Sequence, residues 1–327
     1  MIMITVAMLL GLILCLLFGV PYVDIVKKKM FNQHVKDVIA EQHKEKDGTP
    51  TTGGVFIFLA IVIASITTLM LAQKLTTTAL LILITLFFYA LVGFQDDYIK
   101  IKNKENDGIS ARGKFLRQVL IALLPAIFVM YTKGDMATYL SVGYWHFNIG
   151  WLYPIFVVFI LTGASNAYNL TDGLDGLAAS CGVFSFLACT IIGFLLGEPE
   201  VAIISATVVG ALIGFLKYNK PKAQIFMGDT GSLALGGLLG ALAVIGKFEL
   251  WLIPIGIIYI METLSVMLQV ASYKTTGKRI FKMSPIHHHF EKCGWSEKRI
   301  VVTFASISAI FSIIAIIFSY LFFRGLI

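Results

Sequence analysis

The chain has 327 residues, 57% of them hydrophobic and 14% charged, with a mean hydropathy of +0.84 and a formal charge of +7. A water-soluble domain is about 45–50% apolar and about 25% charged. A cytosolic enzyme, a disordered chain and a secreted disulfide scaffold are therefore excluded, and lipid is the solvent for much of the surface.

Ten apolar stretches meet or approach the roughly 20 residues that a bilayer core requires. They run over 2–20, 55–72, 79–94, 115–131, 152–168, 177–196, 201–216, 232–245, 250–270 and 300–323. The first lacks a basic n-region and a small-residue cleavage site, so it reads as a retained span and not as a signal peptide. Between the fourth and fifth, residues 138–148 (TYLSVGYWHFN) alternate around Gly143 and predict a small β-hairpin, with Tyr144 and Trp145 as interfacial anchors. Gly210/Gly214 and Gly236/Gly240 have the small-xxx-small spacing that permits close helix packing. Cys15, Cys181, Cys189 and Cys293 show no C-x-x-C spacing and read as small hydrophobes, not as metal ligands or a disulfide framework.

The expected fold is an all-α integral membrane protein of about ten transmembrane helices, one polytopic domain over 1–327. Its chemistry-bearing loops are 21–54, 95–117, 169–176, 217–231 and 271–299. These loops hold 22 of the 26 Lys and Arg, leaving only Lys74, Lys133, Lys247 and Arg324 on the other side. So steep a bias makes the basic side cytoplasmic and puts both termini outside. The net charge is thus mostly a topology signal, with anionic headgroups or phosphates as secondary partners; no nucleic-acid partner is expected.

The chemistry falls on that same side. Asp96 and Asp97, in Phe94-Gln-Asp-Asp-Tyr-Ile-Lys100, are adjacent carboxylates at a membrane boundary; they are either a solvated helix end or an acid pair that needs a cation nearby. Asn169, Asp172 and Asp175 share one face if helical. If looped, Gly173 and Gly176 let backbone N–H groups approach a ligand, and capping is the plainer alternative. Asp229 stands between glycines ahead of the eighth span, as an N-cap or a holder of a divalent ion, and the turn suits phosphate oxygens. Phe226 can stack on a flat ring or face lipid. His287, His288 and His289 are consecutive and project in different directions, with no thiolate beside them. They suit hydrogen bonds to phosphate or sugar better than zinc. Lys46 precedes a Gly/Thr turn, residues 48–54, that enters the second span. Together the acids favour Mg²⁺ or Mn²⁺ over zinc. A site of this kind suits phosphoryl transfer from a diphosphate, with a lipid as one substrate and a nucleotide as the other.

In order along the chain, GTPTTGG (48–54), DDYIK (96–100), NAYNLTDGLDGL (166–177), FMGDTGS (226–232) and PIHHHFE (285–291) resemble the phospho-N-acetylmuramoyl-pentapeptide transferases, within the polyprenyl-phosphate hexosamine-1-phosphate transferase superfamily. The likeness covers essentially the whole chain. PIHHHFE and GTPTTGG are specific to this branch, whereas the acidic motifs are shared across the superfamily. Thr52, where methionine is common, and Gly113, where a bulkier residue is frequent, depart from the pattern.

The resemblance implies a homodimeric, multi-pass enzyme of the bacterial cytoplasmic membrane with its site facing the cytoplasm. UDP-MurNAc-pentapeptide and undecaprenyl phosphate would give lipid I and UMP, with Mg²⁺, for which Mn²⁺ could substitute. It implies Asp229 as the metal ligand, and Asp96 and Asp97 beside the lipid phosphate, one of them as base. Lys46, Thr51, Lys114, His287, His288 and His289 would line the phosphate and sugar region. Lys100, Asn169, Asp172, Asp175, Asn219, Phe226 and Gln269 would form the nucleoside pocket, with Phe226 near uracil.

A lipid phosphate monoester has a second pKa of about 6, so near neutrality it is mostly dianionic and already nucleophilic. One-step attack assisted by Asp96 is therefore preferred, and a two-step route through a phosphorylated aspartate stays open. The rival within the class is a UDP-GlcNAc:undecaprenyl-phosphate GlcNAc-1-phosphate transferase. Outside it stands a secondary transporter or lipid flippase, for which Glu262 alone is a midplane acid and no inverted repeat is visible.

Overall fold

A computed structural model describes residues 1–37, 50–103, 108–142 and 145–323. Lys46, the Gly48–Thr49 part of its turn, Gly143, Tyr144 and Arg324 lie outside the described residues. In chain order the helices are α1 (Ile2–Asp37), α2 (Gly54–Leu71), α3 (Thr77–Asn103), α4 (Ala111–Thr132), α5 (Tyr153–Thr171), α6 (Leu177–Leu195) and α7 (Pro199–Asn219). They continue as α8 (Gly228–Gly246), α9 (Leu252–Ile255), α10 (Ile257–Thr276), α11 (Ile286–Lys292) and α12 (Glu297–Phe323). Between α4 and α5, β1 (Tyr139–Val142) and β2 (Trp145–Asn148) pair antiparallel, Tyr139 opposite Asn148 and Leu140 opposite Phe147.

Nine helices among the described residues are long and apolar enough to cross a bilayer. The remaining apolar stretch differs from the continuous helix expected over 250–270. It is two pieces, Glu249–Ile255 and Ile257–Thr276, bent by 80°. Pro254 has no N–H to continue the ladder, and Gly256 sits at the break with its own N–H on the Leu252 carbonyl at 2.7 Å.

Two helices outrun their apolar stretches. α1 continues through Pro21 into the lysine-rich segment, where Lys27 Nζ donates to Gln224 Oε1 at 3.0 Å. α3 runs past residue 94 to Asn103, because nothing from Gln95 to Lys102 breaks a helix and its last turn holds Lys100 and Lys102, which suit the negative helix end. That extension places Asp96, Asp97 and Lys100 on a helix.

α7 and α8 form the middle of the bundle and are buried over most of their length. α1 and α6 pack on α7, α3 and α5 pack on α8, and α12 covers α6. Small residues allow this closeness: Gly210 lies against the Met8 carbonyl of α1, and Gly236 against the Ala164 carbonyl of α5. At the end opposite the long loops, Lys247 Nζ donates to Glu249 Oε1 (2.9 Å), the Tyr153 hydroxyl (3.1 Å) and the Ala137 carbonyl (3.1 Å), tying the hairpin base to the end of α8. Desolvation holds this ammonium below the usual lysine range, with Glu249 opposing.

Candidate active site at the loop-bearing end of the bundle

The start of α8 is held by a side chain from another helix. Asp97, almost wholly buried on α3, accepts from the Asp229 N–H at 3.1 Å, the Thr230 N–H at 2.9 Å and the Thr230 hydroxyl at 2.5 Å. A carboxylate here satisfies orphan N–H groups and faces the positive end of the helix dipole. Close approach makes this possible: a Cβ on Gly93, one turn earlier in α3, would overlap the Asp229 carbonyl. Gly228, at φ +72, lies so close to the Thr51 carbonyl that no side chain would fit. The segment before α2 completes the seat. The Phe226 N–H donates to the Pro50 carbonyl (2.8 Å), and the Gly53 and Gly54 N–H groups donate to the Phe226 and Met227 carbonyls (2.9 and 2.7 Å).

Asp229, thus fixed, belongs to a ring of alternating charges. Lys114 Nζ lies 2.8 Å from Asp229 Oδ2 and 3.0 Å from Asp96 Oδ1; Lys100 Nζ lies 3.2 Å from Asp229 Oδ2 and 2.6 Å from Asp96 Oδ2. Asp96 also accepts from the Ile109 N–H at 2.8 Å. On the far side of Asp229, Asn169 Nδ2 donates to Oδ1 at 2.8 Å and to Ser232 Oγ at 2.7 Å. Beside this ring opens a cavity of about 800 Å³ whose lining includes Asp96, Lys100, Lys114, Phe115, Gln118 and Asn166. Its deeper wall is an amide pair, Asn166 Nδ2 donating to Gln118 Oε1 at 2.9 Å.

α5 ends at Thr171, so Asn169 is helical while Asp172 opens the turn to α6. Desolvation, then the neighbouring carboxylates of Asp229 and Asp97, push the Asp172 carboxyl well above the usual carboxylate range against a Gly228 backbone hydrogen bond. Its charged form is therefore disfavoured beside Asp229.

Other residues singled out in the sequence shape loops. Asp175 Oδ2 accepts from the Ala223 N–H (2.9 Å), and its own N–H donates to Glu297 Oε1 (2.8 Å). Buried Asn219 joins the Gly176 N–H to the Ile225 carbonyl, both at 3.0 Å. Gln269 takes the Ile280 and Phe281 N–H groups at 3.0 and 2.9 Å and donates to the Phe281 carbonyl. Phe226 is half-buried and Thr51 exposed.

The three histidines go three ways. His287 is fully buried with Nδ1 3.0 Å from Glu262 Oε1, His288 Nδ1 lies 2.6 Å from Glu291 Oε2, and His289 Nδ1 accepts from the Lys282 N–H at 3.1 Å.

No group of three or more His, Cys, Asp or Glu side chains closes on a common point among the described residues. No zinc cage is built among those residues. Mg²⁺ takes one or two carboxylates and leaves the rest of its shell to water and substrate phosphate; Asp229, a single carboxylate at the edge of the ring, fits that demand. Sequence reasoning passed over Gln118, Asn166, Thr230, Ser232 and the pairing of Glu262. The available signal was polarity inside apolar stretches, where each polar group needs a partner.

Residues 79–247 match the family model "Glycosyl transferase family 4". Over 318 residues the chain is 41% identical to the phospho-N-acetylmuramoyl-pentapeptide-transferase of Geobacillus thermodenitrificans (strain NG80-2) and 43% identical to that of Geobacillus kaustophilus (strain HTA426). Each alignment covers 96% of this chain and 97% of the relative. The protein of the same name from Bacillus thuringiensis (strain Al Hakam) is 43% identical over 297 residues, 90% of this chain and 91% of its own.

Proposed function

The chain belongs to the phospho-N-acetylmuramoyl-pentapeptide-transferase family, and we propose that the charged ring between α3, α4 and α8 is where it makes lipid I in peptidoglycan synthesis. The substrates are UDP-MurNAc-pentapeptide and a polyprenyl phosphate, taken as undecaprenyl phosphate. One oxygen of the lipid phosphate bonds to the sugar-linked phosphorus. The bond from that phosphorus to the oxygen of the nucleoside-linked phosphate breaks, and UMP leaves with the electron pair.

The observation that carries this reading is the pairing of Lys100 and Lys114 with both Asp96 and Asp229. Two anionic phosphates must be brought together, so the chemistry consists mainly of positioning and charge neutralisation. Lys100 and Lys114 can exchange a carboxylate for a phosphate oxygen at little cost, because both ammoniums are partly open to solvent. Asp229 is the residue that would hold Mg²⁺, which when bound supplies Lewis-acid neutralisation of the diphosphate. Asn169 keeps the Asp229 carboxylate oriented through its second oxygen.

Asp97 spends its lone pairs on three donors and serves as an anchor, not as an attacking group. Asp96 is enclosed by two ammoniums and an N–H. Neither presents a free carboxylate, which favours direct attack by the lipid phosphate over an aspartyl-phosphate route. Phe115 and the apolar mouth beside it suit the first isoprene units, while the turn of Asp172 and Asp175, with Phe226, faces the nucleoside. The site opens to the cytoplasm of a bacterial inner membrane, where the nucleotide sugar is made, and the enzyme works as a homodimer.

The test is UMP release by detergent-solubilised protein given UDP-MurNAc-pentapeptide, with and without undecaprenyl phosphate and Mg²⁺. UMP is expected only when both are present, and Asp229→Ala is expected to abolish it. Retained turnover in Asp229→Ala or in chelator overturns the site assignment. UMP exchange without lipid revives the two-step route, and a preference for UDP-GlcNAc would move the enzyme to the sister activity.

A further inference from the structure

Glu262 is an acid in the middle of a membrane helix, fully buried on α10, and it lines none of the charged ring described above. Its partner, His287 on α11, is equally buried. Nδ1 of His287 lies 3.0 Å from Glu262 Oε1, a close charge contact that is not aligned as a hydrogen bond, and neither side chain has a hydrogen-bond partner among the described residues. Two hydroxyls on the same helix are already spent on backbone, Ser265 Oγ donating to the Glu262 carbonyl at 2.6 Å and Thr263 Oγ1 to the Tyr259 carbonyl at 2.9 Å. Burying a carboxylate and an imidazole with only each other costs free energy that an apolar pair of the same shape would not.

The far edge of the ring shows what the pair holds. The His287 Nε2 edge presses on Gly173 so closely that a Cβ there would overlap it. Gly173 is the residue between Asp172 and Leu174 in the turn that joins α5 to α6. That turn is held from two other sides, by Asp175 on the Ala223 N–H and by the Asp175 N–H on Glu297 at the start of α12. Asn219 holds the Gly176 N–H as well, and His287 adds a steric restraint at Gly173, the residue after Asp172. A carboxylate facing Nδ1 calls for Nδ1–H, which fixes both the tautomer and the tilt of the ring.

We propose that Glu262 is a positioning residue of the transferase: acting through His287, it presses α11 onto Gly173 and sets the place of the Asp172–Asp175 turn that receives the nucleotide sugar. The inference rests on the function proposed above, because it takes that turn as the nucleoside side of the site. It also accounts for the one midplane acid without a transport pathway.

The test separates binding from turnover. Glu262→Leu keeps the bulk and removes the acceptor; it is expected to raise KM for UDP-MurNAc-pentapeptide about tenfold while kcat stays within about threefold. KM for undecaprenyl phosphate is expected to stay at the wild-type value. Glu262→Gln retains an oxygen facing Nδ1 and is expected to stay within about twofold of wild type. Gly173→Ala pushes on the same ring from the other side and is expected to reproduce the KM increase. In the double variant the losses do not multiply, because a ring freed from Glu262 can make room for the methyl group.

Wild-type KM in Glu262→Leu, or losses that multiply in the double variant, overturns the positioning role. If Glu262→Leu does not fold, as judged by thermal unfolding in detergent, Gly173→Ala decides by the same KM criterion. Calorimetric binding of UDP-MurNAc-pentapeptide without lipid keeps the two readings apart. Wild-type protein that neither binds nor turns it over sinks the functional reading, whereas an active wild type matched by Glu262→Leu sinks only the positioning role.

Discussion

Asp96 and Asp97 are neighbours in the chain with opposite tasks. Consecutive residues on a helix point about 100° apart, so Asp96 turns toward Lys100 and Lys114 while Asp97 turns into the bundle to hold the first turn of α8. A carboxamide cannot replace Asp97. Its oxygen could serve the Thr230 donors, but its NH₂ would then face the Asp229 N–H. Asp97→Asn is therefore expected to destabilise the protein by about 1–3 kcal/mol and to lower UMP release by loosening the turn that carries Asp229. Thermal unfolding in detergent checks the first effect, and an unchanged midpoint would remove the anchoring role. The sequence shows that an acid pair at a membrane edge needs compensation, but not which carboxylate receives the lysines. That depends on how α3 is rotated against α8, and a buried Gly93 is the trace of it.

At the scale of elements, the site is a consequence of how closely α3 and α8 approach. Gly93→Ala would place a methyl group on the Asp229 carbonyl and the Thr230 Cα, and backbone cannot yield as a flexible side chain would. The expected result is a loss of about 1–3 kcal/mol in stability together with most of the UMP-forming activity. Gly163→Ala on α5 is the control, because nothing lies within 4 Å of a Cβ there, and it is expected to be neutral or slightly stabilising. Equal behaviour of the two variants would refute the close-approach argument. Apolar runs of about 20 residues made the spans readable in the sequence. What they concealed were the polar end of α3, which carries part of the site, the lysine-rich end of α1 and the break at Gly256. Hydropathy follows contact with lipid, whereas helices end where capping and backbone geometry stop them. The pair Pro254 and Gly256 was the local sign of the break.

For the whole molecule, four sequence-distant segments, before α2, at the end of α3, between α5 and α6, and at the start of α8, converge at one end. Their convergence follows from the even number of spans between successive loops. In the sequence, the loops between these same spans hold 22 of the 26 basic residues, which is the ground for expecting the cytoplasm there, and a nucleotide sugar reaches the site only if it faces the cytoplasm. Cys293 is a ready probe of this. It is the exposed free cysteine next to α11, while Cys15, Cys181 and Cys189 are buried. A membrane-impermeant maleimide is expected to label Cys293 in inside-out vesicles and to leave it untouched in right-side-out spheroplasts. A cysteine replacing Trp151, 90% exposed beside the hairpin, should show the reverse pattern in a variant with Cys293→Ser. Labelling of Cys293 from the outer face would reverse the orientation read from the lysines. It would also leave the Asp96–Asp229 ring on the side of the membrane where no nucleotide sugar is supplied, and the site assignment could not survive it.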